Sequence, residues 1–231
     1  MNTTIEQQIL LAQLCDSAFP IGAFAFSNGL ESAIEYEIIK SSHNLKLYTR
    51  TIVEQALNSD IIAAIHSHRA LCSNNYEQLF EADTKSYINK ISAESRSMTT
   101  KMGKRCAEMA NLLFPDSKNA YQWLNDIEKN CCYGCYNISA ATLYHSAGMD
   151  EKTLLAGLEY GVINTTLNAA LRVFRISHKE TQKLLLELSS YATKDYQNIK
   201  DLELDDMQSF TPECDIIASL HEYGTKRMFA N

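Results

Sequence analysis

Helix-breaking residues are scarce along this chain of 231 residues. Only three prolines and eight glycines occur, and the prolines, Pro20, Pro115 and Pro212, stand far apart. Long stretches without these residues favour long helices. Because no sustained alternation of apolar and polar residues indicates a strand, the sequence predicts an all-α protein.

Apolar residues recur at helical spacing through most of the chain. Leu45, Tyr48, Ile52 and Ala56 form one such stripe, which continues to about residue 72. Further helices are predicted over 27–37, 76–90, 93–113 and 119–130, from Asp150 onward, and after capping boxes at Thr3–Glu6 and Ser177–Glu180.

The segment 194–210 is polar and acidic and is predicted to be a loop with at most one turn, and Thr211-Pro212 is predicted to start a last short helix. No linker, internal repeat or low-complexity tract divides the chain. We therefore expect one domain, 1–231, built as a bundle of about eight to ten helices.

Composition and charge exclude several classes of protein. The formal net charge is −7 and the pI is near 5.4, so the surface is a poor match for nucleic-acid phosphates. No apolar run approaches the roughly 18 residues that a membrane span needs. Residues 1–4 lack the basic region of a signal peptide and the apolar run 9–14 is too short for its core, so no signal peptide is expected. Seven cysteines, an odd number, fit reduced thiols in the cytoplasm.

The usual enzyme motifs are missing. There is no GxxxxGK[ST] phosphate loop, no GxGxxG after a strand and no GxSxG. His221-Glu222 begins like the zinc motif HExxH, but position 225 is Thr, so the second histidine is absent. The sequence therefore predicts a protein that is not an enzyme.

Two clusters could still bind a metal ion. Cys131 and Cys135 would share one face if their segment were helical, yet no nearby residue completes a tetrahedral set. His66 and His68 point about 200° apart on a helix, so we expect one exposed and one partly buried histidine. An all-α metal-dependent enzyme using Cys131 and Cys135 remains the alternative function.

Two further segments could contact another protein. Three phenylalanines crowd the helix-breaking stretch 19–26, which fits either a loop that plugs the core or an apolar contact patch. Arg96, Lys101, Lys104 and Arg105 form a basic cluster in an acidic chain. That cluster fits either a solvated helix face or a docking patch for an acidic partner.

Four segments together resemble one family. Pro20-Ile21-Gly22-Ala23-Phe24-Ala25-Phe26-Ser27-Asn28-Gly29-Leu30-Glu31 is similar to the Pro-[Val/Ile/Leu]-Gly-[Gly/Ala]-Phe-x-[Tyr/Phe]-Ser-x-Gly-Leu-Glu run of UreF, the urease accessory protein family. Segments 94–105, 169–173 and 209–229 resemble three further UreF motifs in the right order. The chain departs from the family at Arg175, where a proline is usual, and at the cysteines of 131–135.

The resemblance implies an all-α, cytoplasmic homodimer with no active site of its own. Such a protein binds a UreD/UreH-type accessory protein and recruits the UreG-type GTPase, so that nickel enters apo-urease. No cofactor is bound tightly, since partner proteins handle nickel and GTP. Neither nucleic acid nor a membrane is implied. A helical adaptor unrelated to urease is the remaining alternative.

Polar side chains within apolar motif segments are the best candidates for contacts with partners, although pairing inside the chain would satisfy them equally well. The tail 221–231 keeps residue types that are enriched at interface cores, so we expect it to be mobile until a partner binds. The predicted partner-binding residues are Phe24, Phe26, Ser27, Glu31, Arg96, Arg172, His221, Glu222, Arg227, Met228 and Phe229.

Overall fold

A computed structural model of the chain describes residues 4–22, 27–208 and 216. Within these residues it contains eleven α-helices and no strand, which confirms the all-α class. The helices are α1 (Ile5–Cys15), α2 (Leu30–Glu35), α3 (Ser42–Ala56), α4 (Ile62–Ser73), α5 (Tyr76–Ile88), α6 (Ala93–Leu113), α7 (Lys118–Glu128), α8 (Tyr136–Ser146), α9 (Glu151–Val173), α10 (His178–Ser189) and α11 (Ala192–Ile199).

Two short elements complete the described fold. A π-helical turn, Leu57–Ile61, joins α3 to α4 without a break, so the three elements form one continuous helix over residues 42–73. A 3-10 turn follows α11 at Leu204–Asp206. None of the described helices is both long and apolar enough to cross a bilayer.

Side-chain caps explain where several helices begin. The predicted box at Ser177–Glu180 is confirmed, because each side chain bonds the other residue's backbone amide. The first box lies one residue later than predicted. The Thr4 amide donates to Gln7 Oε1 at 3.1 Å and the Gln7 amide to Thr4 Oγ1 at 3.2 Å, since Thr4 and Gln7 also satisfy the capping pattern.

The hydrophobic core forms around α8 and α9. Helix α9 contacts α1, α2, α3, α10 and α11, while α8 packs against α4 and α6. A smaller apolar cluster between α4, α5, α7 and α8 centres on Trp123, whose indole donates to Ser139 Oγ at 2.8 Å. The two clusters together enclose α4 and α8.

Three elements differ from the predictions. Helix α8 was not predicted, because residues 137–144 are all buried and therefore show no amphipathic period. Helix α11 overlaps the first part of the predicted loop 194–210. This segment is mostly polar, yet one side of the helix is buried through Asp195 and Ile199. Helix α2 is shorter than the predicted 27–37, since it begins only after Gly29, which has a φ of 74°.

Candidate functional site

A partly open cavity of about 270 Å³ lies between α1, α3, α6, α8 and α9, and we call it the central cavity. Its apolar wall includes Leu14, Phe19, Ile52, Met98, Met102 and Leu158. Polar residues, among them several from the π turn and from α9, line much of the remainder. The cavity therefore offers both an apolar interior and hydrogen-bonding groups, as ligand and partner sites usually do.

The loop between α5 and α6 forms one rim of the central cavity through residues 89–91. Arg96, in the first turn of α6, donates its Nη1 hydrogens to Lys90 O at 2.5 Å and to Ile91 O at 3.0 Å. The Lys90 ammonium in turn pairs with Asp60. Arg96 was predicted to contact a partner; here it holds a loop inside the chain, through carbonyl groups rather than a carboxylate.

The π turn supplies the part of the wall next to this loop. Its residues 59–61 line the central cavity, and π-helical turns within α-helices are frequent at functional sites. Asp60 O accepts a hydrogen bond from Asn137 Nδ2 at 2.9 Å, and the Asp60 carboxylate accepts one from Ser86 Oγ at 3.3 Å. These bonds tie the turn to α5 and α8.

Helix α9 contributes a small and polar strip to the central cavity. Residues spaced three or four apart line it: Gly157, Gly161, Asn164, Asn168 and Arg172. A Cβ atom added to Gly161 would meet no heavy atom within 4 Å outside its own helix, and Asn168 Nδ2 donates to Asn164 Oδ1 at 3.0 Å. The predicted residue Arg172 therefore lies at one end of this strip, half-buried.

Two other predicted residues lie away from the cavity wall. Ser27 is fully buried and Glu31 is half-buried in the first turn of α2. Both make interactions within the chain. The remaining predicted residues, Phe24, Phe26, His221, Glu222, Arg227, Met228 and Phe229, lie outside the described residues, as do the tail 221–231 and the helix expected from Pro212.

The basic cluster predicted on α6 divides into two parts. Arg96 serves the rim loop, whereas Lys101, Lys104 and Arg105 are exposed. We call these three residues the α6 basic face. A Cβ added to Gly22, which has a φ of +83°, would lie 2.2 Å from Arg105 Nη1, so the guanidinium packs against this turn of the chain.

The whole chain resembles curated proteins of one kind. The UreF family model matches residues 39–189. Urease accessory protein UreF 1 of Brucella melitensis is 38% identical over 221 residues, 96% of this chain and 91% of the relative. Urease accessory protein UreF of Photorhabdus laumondii is 34% identical over 223 residues, 96% of this chain and 97% of the relative.

The chain belongs to the UreF family. This confirms the resemblance carried by the four sequence motifs. The names of the UreF relatives describe accessory proteins of urease rather than catalysts.

The cysteine cluster of this UreF chain is a clamped loop and not a helix. Residues 131–134 are non-helical, so Cys131 and Cys135 do not share a helical face. The Asp83 carboxylate accepts from the amides of Tyr133 at 2.7 Å, Gly134 at 3.1 Å and Cys135 at 2.8 Å. The segment is therefore anchored to α5 by a buried carboxyl group.

The electrostatics of this loop disfavour thiolate ligands. Burial, and then the neighbouring Asp83, raise the pKa of Cys132 to about 12 and raise the pKa of Cys135 further. A metal ligand must be the deprotonated thiolate. In the described part of the chain, no three His, Cys, Asp or Glu side chains are placed to hold a metal ion, so the geometry gives no support to the metal-enzyme alternative.

Both histidines of the His66-Ser67-His68 stretch are buried, so the prediction of one exposed histidine was wrong. His66 Nε2 lies 2.8 Å from Leu202 O, and His68 Nε2 lies 2.8 Å from Met149 O. The cause is the position of α4, which is enclosed so fully that residues 61–68 are all buried. These hydrogen bonds satisfy one nitrogen of each ring and fix its orientation.

The sequence reasoning missed a buried carboxylate at Glu159. Its exposure is 1%, and neither of its oxygens has a hydrogen-bond partner among the described residues. Burial, and then the charge of Asp195, raise the pKa of Glu159 to about 7. Asp195 itself is bound by Arg50, whose Nη2 donates to Asp195 Oδ1 at 2.7 Å. The available signal was a glutamate next to Leu158 within an otherwise apolar stripe.

Proposed function

We propose that this UreF chain is a non-catalytic scaffold for urease maturation in the cytoplasm. It acts as a homodimer that binds a UreD/UreH-type protein and recruits the UreG-type GTPase to apo-urease. Nickel and GTP are handled by those partners, and the chain binds no cofactor tightly.

The observation that carries this proposal is the convergence of three motif segments on the central cavity. The 20–31 segment supplies Ile21 and Asn28, the 94–105 segment supplies Met98 and Met102, and the 169–173 segment ends the α9 strip. Segments that are distant in sequence thus build one preorganised concave surface. Such a surface supports binding of a partner or ligand.

The chemistry of the lining supports a scaffold rather than a catalyst. The Asp60 carboxylate is paired with Lys90. Burial raises the pKa of the Cys106 thiol to about 12, which keeps it protonated and therefore a weak nucleophile. A surface of this kind is suited to binding a partner through its shape and its polar groups rather than to catalysing a reaction.

Reconstitution of urease tests the proposal. A urease operon lacking only this chain should yield inactive apo-urease, and supplying the chain should restore activity and co-purify the UreD/UreH-type protein. The chain alone should hydrolyse no GTP. Equal urease activity with and without the chain would favour an adaptor unrelated to urease, and GTP turnover by the chain alone would refute the scaffold.

A further inference from the structure

We propose that the central cavity and the α6 basic face form one docking surface for an acidic segment of a partner protein, which inserts a bulky apolar side chain into the cavity. This inference rests on the proposed scaffold function and names the chemistry of the surface that performs it.

The cavity is large enough for an apolar anchor. An engineered apolar cavity of about 150 Å³ already binds benzene, and the central cavity measures about 270 Å³. Two of its walls can adjust to a guest: Met98 and Met102 are flexible thioethers, and Gly161 leaves open space before it. Interface hot spots are typically bulky side chains seated in such pockets.

Charge indicates the character of the partner. The chain carries a net charge of −7, and cations such as Lys46, Arg50 and Lys85 are paired with carboxylates. By contrast, no carboxylate among the described residues lies within 4.0 Å of a cation of the α6 basic face. An unpaired basic face on an acidic protein is complementary to acidic groups of a partner.

The central cavity and the α6 basic face adjoin each other along α6. Met102 and Cys106 line the cavity, and each stands next in sequence to a residue of the α6 basic face, Lys101 or Arg105. Arg105 also packs against Gly22, whose neighbour Ile21 lines the cavity. A segment seated in the cavity can therefore reach the α6 cations within about one helical turn.

The rim is held in place before any partner binds. Arg96 fixes the carbonyl groups of the 89–91 loop, and the pair of Lys90 with Asp60 joins that loop to the π turn. A surface ordered in advance loses less conformational entropy on association. The Asn164–Asn168 pair adds amide groups able to bond the main chain of a docked segment.

Two variants probe the two halves of the surface. Gly161→Leu fills the cavity while raising helix propensity, and its control Ala156→Leu adds the same side chain at an exposed position of the same helix. Lys101→Glu/Lys104→Glu reverses the charge of the α6 basic face. Its control Lys179→Glu/Lys183→Glu makes the same charge change on the exposed side of α10.

The probes are the purified UreD/UreH-type protein, UreG-type GTPase and apo-urease of the same host. Each is titrated separately into the full-length chain by calorimetry at about 50 and 300 mM NaCl, which screen charges weakly and strongly, respectively. Both test variants should weaken binding of the same probe by about tenfold or more, and the controls should stay near wild type. Added salt should weaken the wild type more than the charge variant.

The proposal is overturned if both test variants bind all three probes like the wild type, if they affect different probes, or if the controls are equally weakened. It is also overturned if Gly161→Leu alters only self-association, because a second copy would then be the occupant. A wild-type chain that binds none of the probes instead refutes the scaffold function itself. Circular dichroism and Tm measurements confirm that each variant is folded.

Discussion

Replacing Glu159 by glutamine should stabilise the protein at alkaline pH. In the folded chain the pKa of Glu159 is raised from 4.5 to about 7, first by burial and then by Asp195. At about 1.4 kcal/mol per pKa unit, ionising this carboxyl in the folded state costs up to about 3 kcal/mol relative to the unfolded chain. Glutamine has a similar shape and no charge, so it removes this cost.

The direction of the change in stability with pH follows from the protons that Glu159 binds in the folded and unfolded states. Between pH 4.5 and about 7 the folded chain retains the Glu159 proton that the unfolded chain has lost, so the free energy of unfolding falls as pH rises through this window. Above pH 7 the full cost is present and no longer grows. The wild type and Glu159→Gln should therefore be equally stable near pH 4.5 and differ most near pH 8.

Urea unfolding followed by circular dichroism, at about pH 5 and pH 8, measures this difference. We expect Glu159→Gln to raise the free energy of unfolding at pH 8 by about 1–3 kcal/mol. Glu128→Gln, at an exposed position of α7, is the control and should change little. A Glu159→Gln variant that is no more stable than the wild type at pH 8 would refute the reasoning.

Four further outcomes are expected. Asp83→Ala leaves three backbone amides without their carboxylate and should lower the free energy of unfolding by about 3 kcal/mol, measured in urea. Arg96→Ala should speed hydrogen exchange at residues 89–91 while helix content in circular dichroism stays constant. Replacing the three cysteines of 131–135 by alanine should preserve urease activation; its complete loss in a folded variant would revive a metal role. Deleting residues 225–231 should abolish co-purification of the UreD/UreH-type protein yet leave the circular dichroism spectrum nearly unchanged; undiminished binding would contradict this.

Local signals were sufficient for the amphipathic helices. Residues 93–113 were predicted as a helix and form α6 with those bounds, because Ser92 caps the first turn and apolar residues repeat on one face. The Ser177–Glu180 box likewise lies within four residues and needs no distant contact. Caps and helical periodicity depend only on residues close together in the sequence, so they can be recognised from the sequence alone.

Features that depend on tertiary packing could not be predicted in this way. Helix α8 has no polar face because neighbouring helices cover it on all sides, so its sequence lacks the period that indicates a helix. Likewise, the burial of Glu159 and its closeness to Asp195 of α11 arise only when the helices pack together. Both environments come from segments far apart in the chain, which a single sequence does not pair.

The motif residues show why predicting a site is easier than predicting the role of each residue. The sequence selected Arg96 and Arg172 because charges within apolar segments need a partner. Arg172 lines the central cavity directly, whereas Arg96 shapes it by holding the carbonyl groups of a rim loop. The sequence alone cannot distinguish a guanidinium that lines the cavity from one that holds its rim, since either position provides the hydrogen-bond partners that a partly buried arginine needs. The distinction predicts different defects: Arg172→Ala should change contacts at the cavity wall, and Arg96→Ala should change the order of its rim.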